Sequence, residues 1–212
     1  LLQAFTASLL LITISELGDK TFFIAVILSM RYNHRIVFSS VLAALALMTL
    51  LSVLLGQAVS LLPKVYTHYG AIALFLIFGV KLIVDALRMS PTSTEEVVKE
   101  AEETVAGQNP QTSVPIFGKI LARYPQIGVW IQAFVMTFLA EWGDRTQIST
   151  IALAAANDPI FVTLGAILGH GICTVIAVIG GRLVAGRISE RVITGIGGVL
   201  FLVFGVTAFF QA

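Results

Sequence analysis

Long apolar runs separated by short polar breaks dominate the chain, at about 1–30, 36–62, 70–88, 127–156, 160–184 and 192–210. The breaks hold Arg31-Tyr32-Asn33-His34-Arg35, Pro63-Lys64, Asn157-Asp158-Pro159 and Gly186-Arg187-Ile188-Ser189-Glu190-Arg191, residue types that punctuate helices. About 20 apolar residues cross the hydrocarbon core of a bilayer, so the pattern predicts six transmembrane helices in an all-α integral membrane fold. The first and fourth runs are longer than a bilayer needs, which a tilt, a kink or a break near Gly18 and Gly143 accommodates. Residues 89–126 differ in kind, with Pro91, Pro110, Pro115 and Pro125, the acids Glu95, Glu96, Glu100, Glu102 and Glu103, and a Ser93-x-x-Glu96 capping box. They read as a solvated, half-helical connector whose acidic run is a solvated face rather than a cation sensor.

The runs repeat. Glu16-Leu17-Gly18-Asp19-Lys20-Thr21 and Glu141-Trp142-Gly143-Asp144-Arg145-Thr146 stand 125 positions apart, and at that offset Thr49 matches Thr174, Val53 matches Val178, Gly56 matches Gly181 and Gly70 matches Gly195. The simplest organisation is a first three-span repeat, 1–88, the connector, 89–126, and a second three-span repeat, 127–212. Three is odd and the connector does not cross, so the halves enter the membrane from opposite sides as inverted repeats, with the two motifs facing each other near mid-membrane.

Composition agrees: 57% of residues are hydrophobic, 12% are charged and the mean hydropathy is +0.94, which excludes a soluble domain. Net charge is only +1, and nothing points to nucleic acid as a partner; the partner is the lipid bilayer. The distribution of charge says more. Arg31, Arg35, Arg88, Lys99, Lys119, Arg123, Arg182, Arg187 and Arg191 share one side, against Lys64 on the other. The positive-inside rule then puts the connector in the cytosol or stroma and both termini on the opposite side. The single cysteine, Cys173, lies in an apolar run and forms no disulfide framework.

Ionisable groups are costly at membrane depth, so two clusters of them mark an ion or proton site. Positions i and i+3 share a helical face, which aims Glu16 with Asp19 and Glu141 with Asp144 toward one spot. Four carboxylates less Lys20 and Arg145 leave two negative charges, matching one divalent cation, and carboxylate oxygens suit Ca²⁺, Mg²⁺ and Mn²⁺. Gly18 and Gly143 let the motif helices approach closely or unwind to offer backbone carbonyls. Thr21 and Thr146 either add neutral oxygen ligands or satisfy carbonyls of the previous turn. A blander reading makes Glu16–Lys20 and Glu141–Arg145 structural i,i+4 ion pairs, but it leaves Asp19 and Asp144 unexplained.

With its two Glu-x-Gly-Asp-Lys/Arg-Thr strings, six-span layout and acidic connector, nearly the whole chain resembles the family of Golgi, plastid and bacterial calcium/manganese transporters to which human transmembrane protein 165 belongs. The resemblance implies cation/proton antiport, with Mn²⁺ or Ca²⁺ exported from the cytosol or stroma and Glu16, Asp19, Glu141 and Asp144 as ligands. No resident cofactor is implied; the metal is the transported substrate. The short chain looks more like bacterial or plastid members, of a plasma, thylakoid or plastid membrane.

Protons suit a carboxylate cage because metal binding displaces them. A divalent-cation channel is the alternative, distinguished by flux that ignores a pH gradient. An intramembrane enzyme is a weaker one, since no HExxH is present and no serine forms an evident dyad with His34, His68 or His170. His170 reads as a packed histidine beside a Gly165-x-x-x-Gly169 interface rather than a soft ligand paired with Cys173, because its repeat counterparts are Leu45 and Met48.

Overall fold

In the computed structural model, residues 2–90, 93–107, 125–184 and 189–210 are described, without the side chains of 181–184. They form helices α1 (Leu2–Glu16), α2 (Lys20–Arg31), α3 (His34–Val59), α4 (Lys64–Arg88), α5 (Ser93–Gly107), α6 (Pro125–Ala140), α7 (Arg145–Ala156), α8 (Pro159–Val184) and α9 (Glu190–Phe210). Four of these, α3, α4, α8 and α9, carry stretches of at least 21 residues that are long and apolar enough to cross a membrane. Many of their large apolar side chains face outward, among them Leu54, Ile77, Val80, Ile179 and Phe210. Such a surface suits lipid rather than water.

The other two apolar runs are each divided into two helices, at Gly18 and at Gly143. At roughly 1.5 Å per residue, α1 and α2 rise only about 22 and 18 Å, so neither alone crosses a core of about 30 Å. Of tilt, kink and break, the structure takes the break. This corrects the expectation that Glu16 and Asp19, and likewise Glu141 and Asp144, share one helical face: no continuous helix runs through either pair.

The break follows from local chemistry. Gly18 and Gly143 have φ of +78° and +81°, the left-handed conformation that ends a helix and that a Cβ disfavours. The next residue, Asp19 or Asp144, is extended and caps the following helix. Asp19 Oδ1 accepts from Lys20 N at 2.7 Å, and Asp144 accepts from Gln147 N at 2.7 Å and Thr146 N at 3.1 Å. The correspondence continues downstream, where Asn33 accepts from Arg35 N at 2.9 Å and Asp158 from Ile160 N at 3.0 Å.

Packing exchanges the halves. α1 lies on α8 as α6 lies on α3, α2 on α8 as α7 on α3, and α4 on α9. Gly165 makes the α1–α8 approach possible: a Cβ there would collide with Ser8 Oγ and Phe5 O. Two apolar clusters result. One gathers Phe22, Phe23, Val37, Ala133 and Met136; the other gathers Leu11, Ile12, Phe75, Leu153 and Phe201. The first half leaves the second cluster along α1 and enters the first along α2, whereas α6 and α7 visit them in the opposite order. Both acidic motifs therefore stand where the chain passes between the clusters.

The connector is helical over Ser93–Gly107, while 108–124 lie outside the described residues. Ser93 is the first residue of α5, and 91–92, just before the expected capping box, are also outside them. Glu95, Glu96, Glu100, Glu102 and Glu103 are exposed, as a solvated face requires. The opposite face is not solvated: Ala101 and Val105 are buried in the cluster around α2, with Val97 and Val98 against it.

Candidate functional site

At the two breaks the chain delivers Glu16 from the last turn of α1, Glu141 from the end of α6 and Asp144 from the cap of α7. One carboxylate oxygen from each of the three lies within 4.8 Å of the others. Glu16 and Glu141 are both 2% exposed, and Oε1 of each is buried without a hydrogen-bond partner. Acceptors held this close and this dry repel one another unless a cation or a proton is shared among them. Each half's threonine neighbours the other half's glutamate, Thr146 beside Glu16 and Thr21 beside Glu141. Thr146 Oγ1 also stands 2.9 and 2.8 Å from the two oxygens of Asp144, while Thr21 Oγ1 is buried with no hydrogen bond of its own.

Asp19 is outside this group of three. It lines a cavity of about 20 Å³, room for roughly one water, beside Gly18, Arg145 and Glu190. The structural i,i+4 ion pairs of the blander reading are not formed. Lys20 instead reaches Glu100 of α5 at 3.0 Å, and among the described residues no ion pair within 4.0 Å joins Glu16 to Lys20 or Glu141 to Arg145.

Two smaller cavities of about 10 Å³ flank the carboxylates, one beside Glu16 and one beside Glu141. At the 125-residue offset they are the same place in the two halves, but their chemistry differs. Phe22, Ala25 and Ala177 line the first; their counterparts in the second are Gln147, Thr150 and Ser52. Gln147 is buried, accepts from Gly143 N at 2.7 Å and donates Nε2 to Met48 Sδ at 2.9 Å, bracing the broken turn. The sequence offers one signal for it, an amide directly after the second motif where the first has Phe22. His170 also enters the second cavity, with Nδ1 3.7 Å from Glu16 Oε1 and no hydrogen bond to that atom. Cys173 does not join it there; its Sγ donates to Thr13 O at 3.2 Å.

A buried oxygen cage drawn from two halves of one chain is suited to a hard divalent cation. Residues 4–90 and 129–212 match the family described as Divalent cation/proton antiporter GDT1. The chain is 53% identical over 208 residues to the GDT1-like protein sll0615 of Synechocystis sp., covering 98% of this chain and 97% of that protein. It is 39% identical over 237 residues to the Divalent cation/proton antiporter GDT1 of Saccharomyces cerevisiae, covering 100% and 85%, and 40% identical over 218 residues to the chloroplastic PAM71-homolog of Arabidopsis thaliana, covering 98% and 59%. No solved structure matches. Two matched segments that include both acidic motifs, and relatives aligned along nearly the whole chain, show that this protein belongs to the GDT1 family of divalent cation/proton antiporters, which are transporters and not enzymes.

Proposed function

We propose that the chain exports Mn²⁺ or Ca²⁺ from the cytosol or stroma in exchange for protons, with Glu16, Glu141 and Asp144 holding the cation and Asp19 lining its approach. The observation that carries this reading is the meeting of three carboxylates within 4.8 Å, two of them with an unpartnered buried oxygen. Asp19 and Arg145 share the adjoining cavity, so a cation leaving the cage toward it passes one acid and one base of the motifs. Six spans in two inverted repeats account for the exchanged packing partners and for the opposite order in which the motif helices visit the two clusters. The connector then faces the cytosol or stroma, supported by the distribution of arginine and lysine.

Export needs a driving ion. Moving a divalent cation outward against an interior-negative potential of 100 mV costs about 4.6 kcal/mol, from roughly 2.3 kcal/mol per charge. Carboxylates bind metal when deprotonated, so protons arriving from the far side expel the cation and the cation in turn releases protons. The same competition fixes the sign of the pH dependence: apparent metal affinity falls as pH falls.

The test is metal-dependent proton flux in proteoliposomes, with Mn²⁺, Ca²⁺ and Mg²⁺ compared. An imposed proton gradient is expected to drive Mn²⁺ or Ca²⁺ uphill in the opposite direction. Glu16→Gln, Glu141→Gln and Asp144→Asn are expected to abolish exchange while leaving a folded protein, asparagine being as good a helix cap as aspartate. Uphill movement without a proton gradient, or wild-type exchange by all three variants, contradicts the proposal.

A further inference from the structure

The two flanking cavities are related by the repeat but not by chemistry, and the largest departure is at His170, whose counterpart is Leu45. His170 is 5% exposed, and its Nδ1 is a buried ring nitrogen with no hydrogen bond. Burying a polar atom without a partner is costly, and no helix-packing need calls for it: Leu45 occupies the equivalent place in α3. Nδ1 does have a neighbour of consequence, Glu16 Oε1 at 3.7 Å, which is itself unpartnered. Two such atoms at that spacing fit on either side of one dication held at roughly 2.0–2.2 Å. His170 is not among the three groups that fall within 4.8 Å of one another; it joins them through Glu16.

We infer that His170 is a specificity-determining residue of the transport site, supplying one neutral imidazole nitrogen to a cage otherwise made of oxygen. Imidazole suits first-row transition-metal dications, and although Mn²⁺ stands lowest in that order and also takes oxygen, it gains more from a nitrogen ligand than Ca²⁺ or Mg²⁺ does. The nitrogen adds nothing for Ca²⁺ or Mg²⁺, which take oxygen. The cavity around it has the supporting polarity, with Gln147, Thr150 and Ser52 where the other half has Phe22, Ala25 and Ala177. This inference rests on the cation site proposed above and assigns its selectivity.

The experiment uses the full chain in detergent or liposomes, with Mn²⁺ as the spectroscopic probe. Pulsed electron paramagnetic resonance is expected to show one directly coordinated nitrogen in the wild type. Labelling the three histidines with ¹⁵N should convert the coupling, and His170→Gln should remove it. In transport competition, His170→Gln is expected to lower the Mn²⁺ preference over Ca²⁺ by about tenfold or more, since even outer-shell partners of a metal ligand cost roughly 10–100-fold when lost. A merely structural histidine would weaken both ions alike, and that result overturns the inference. Bound Mn²⁺ that depends on Glu16 and Glu141 but carries no histidine coupling also overturns it, while leaving the carboxylate site standing. Mn²⁺ binding indifferent to Glu16→Gln and Glu141→Gln overturns the site and this inference together. Should His170→Gln fail to fold, ¹⁵N labelling of the wild type decides, because His34 and His68 lie outside the cavity.

Discussion

Glycine at position 143 does its work by dihedral angle alone. With φ of +81° and no atom within 4 Å of the place a Cβ would occupy, Gly143→Ala meets no steric obstacle and is opposed only by the left-handed backbone. That strain is about 1–2 kcal/mol. The substitution is expected to cost roughly that much stability, read from thermal unfolding in detergent, and to reduce exchange far more, because the turn aims both Glu141 and Asp144. Equal and small losses in both measurements would show that the turn does not position the site. At this scale the sequence was legible where chemistry is local: the acids, the glycines and the threonines all stand at the breaks. His170 is buried, as a packed histidine is, and Cys173 bonds Thr13 O instead of joining it; what its apolar repeat counterpart Leu45 gives no signal of is the ring nitrogen's neighbour, Glu16 Oε1 at 3.7 Å.

Among the elements, the broken helices were half visible. Length alone leaves tilt, kink and break open for 1–30 and 127–156, and i,i+3 spacing puts two acids on one face only where the helix is unbroken. The decisive signal was in the motif itself, since a glycine that ends one helix followed by an aspartate that caps the next is a stop and a start in two residues. Helix α5 is anticipated by the capping box, but its packing is not. Its acids marked a solvated face, but Val97, Val98, Ala101 and Val105 compose a second, apolar face that packs on α2, and no sequence pattern names the partner of such a face. The Lys20–Glu100 pair that accompanies it is exposed on both sides, 32% and 61%, and contributes at most about 1 kcal/mol. Burial of Ala101 and Val105 holds α5 in place. A cysteine at Val105 is therefore expected to resist a membrane-impermeant thiol reagent, to stay protected in Glu100→Gln, and to become reactive in Ala101→Asp. Cys173 is buried and gives little background. Rapid labelling at Val105 in the otherwise unchanged chain would show that α5 does not rest on α2.

For the whole molecule, the proposed inversion of the two halves has a consequence that no single helix carries. Arg31 and Ala156 are equivalent residues under the repeat, each exposed at the end of the second helix of its broken pair. In a parallel duplication they would emerge on the same side of the membrane; in an inverted one they emerge on opposite sides. The proposed inversion agrees with the order of packing, in which α1 and α2 pass from the Leu11 cluster to the Phe23 cluster while α6 and α7 pass back. In the proposed orientation Arg31 stands with the connector on the side richer in arginine and lysine, and Ala156 with the α3–α4 turn at Leu61. Single cysteines at Arg31 and Glu102 are expected to react with an impermeant reagent only from the cytosolic or stromal side, and those at Ala156 and Leu61 only from the other. Labelling of Arg31 and Ala156 from one side would remove the inverted repeat and leave the meeting of Glu16 with Glu141 without a topological cause. Opposite-side labelling with the two sides exchanged would keep the cage and reverse the orientation of the transporter.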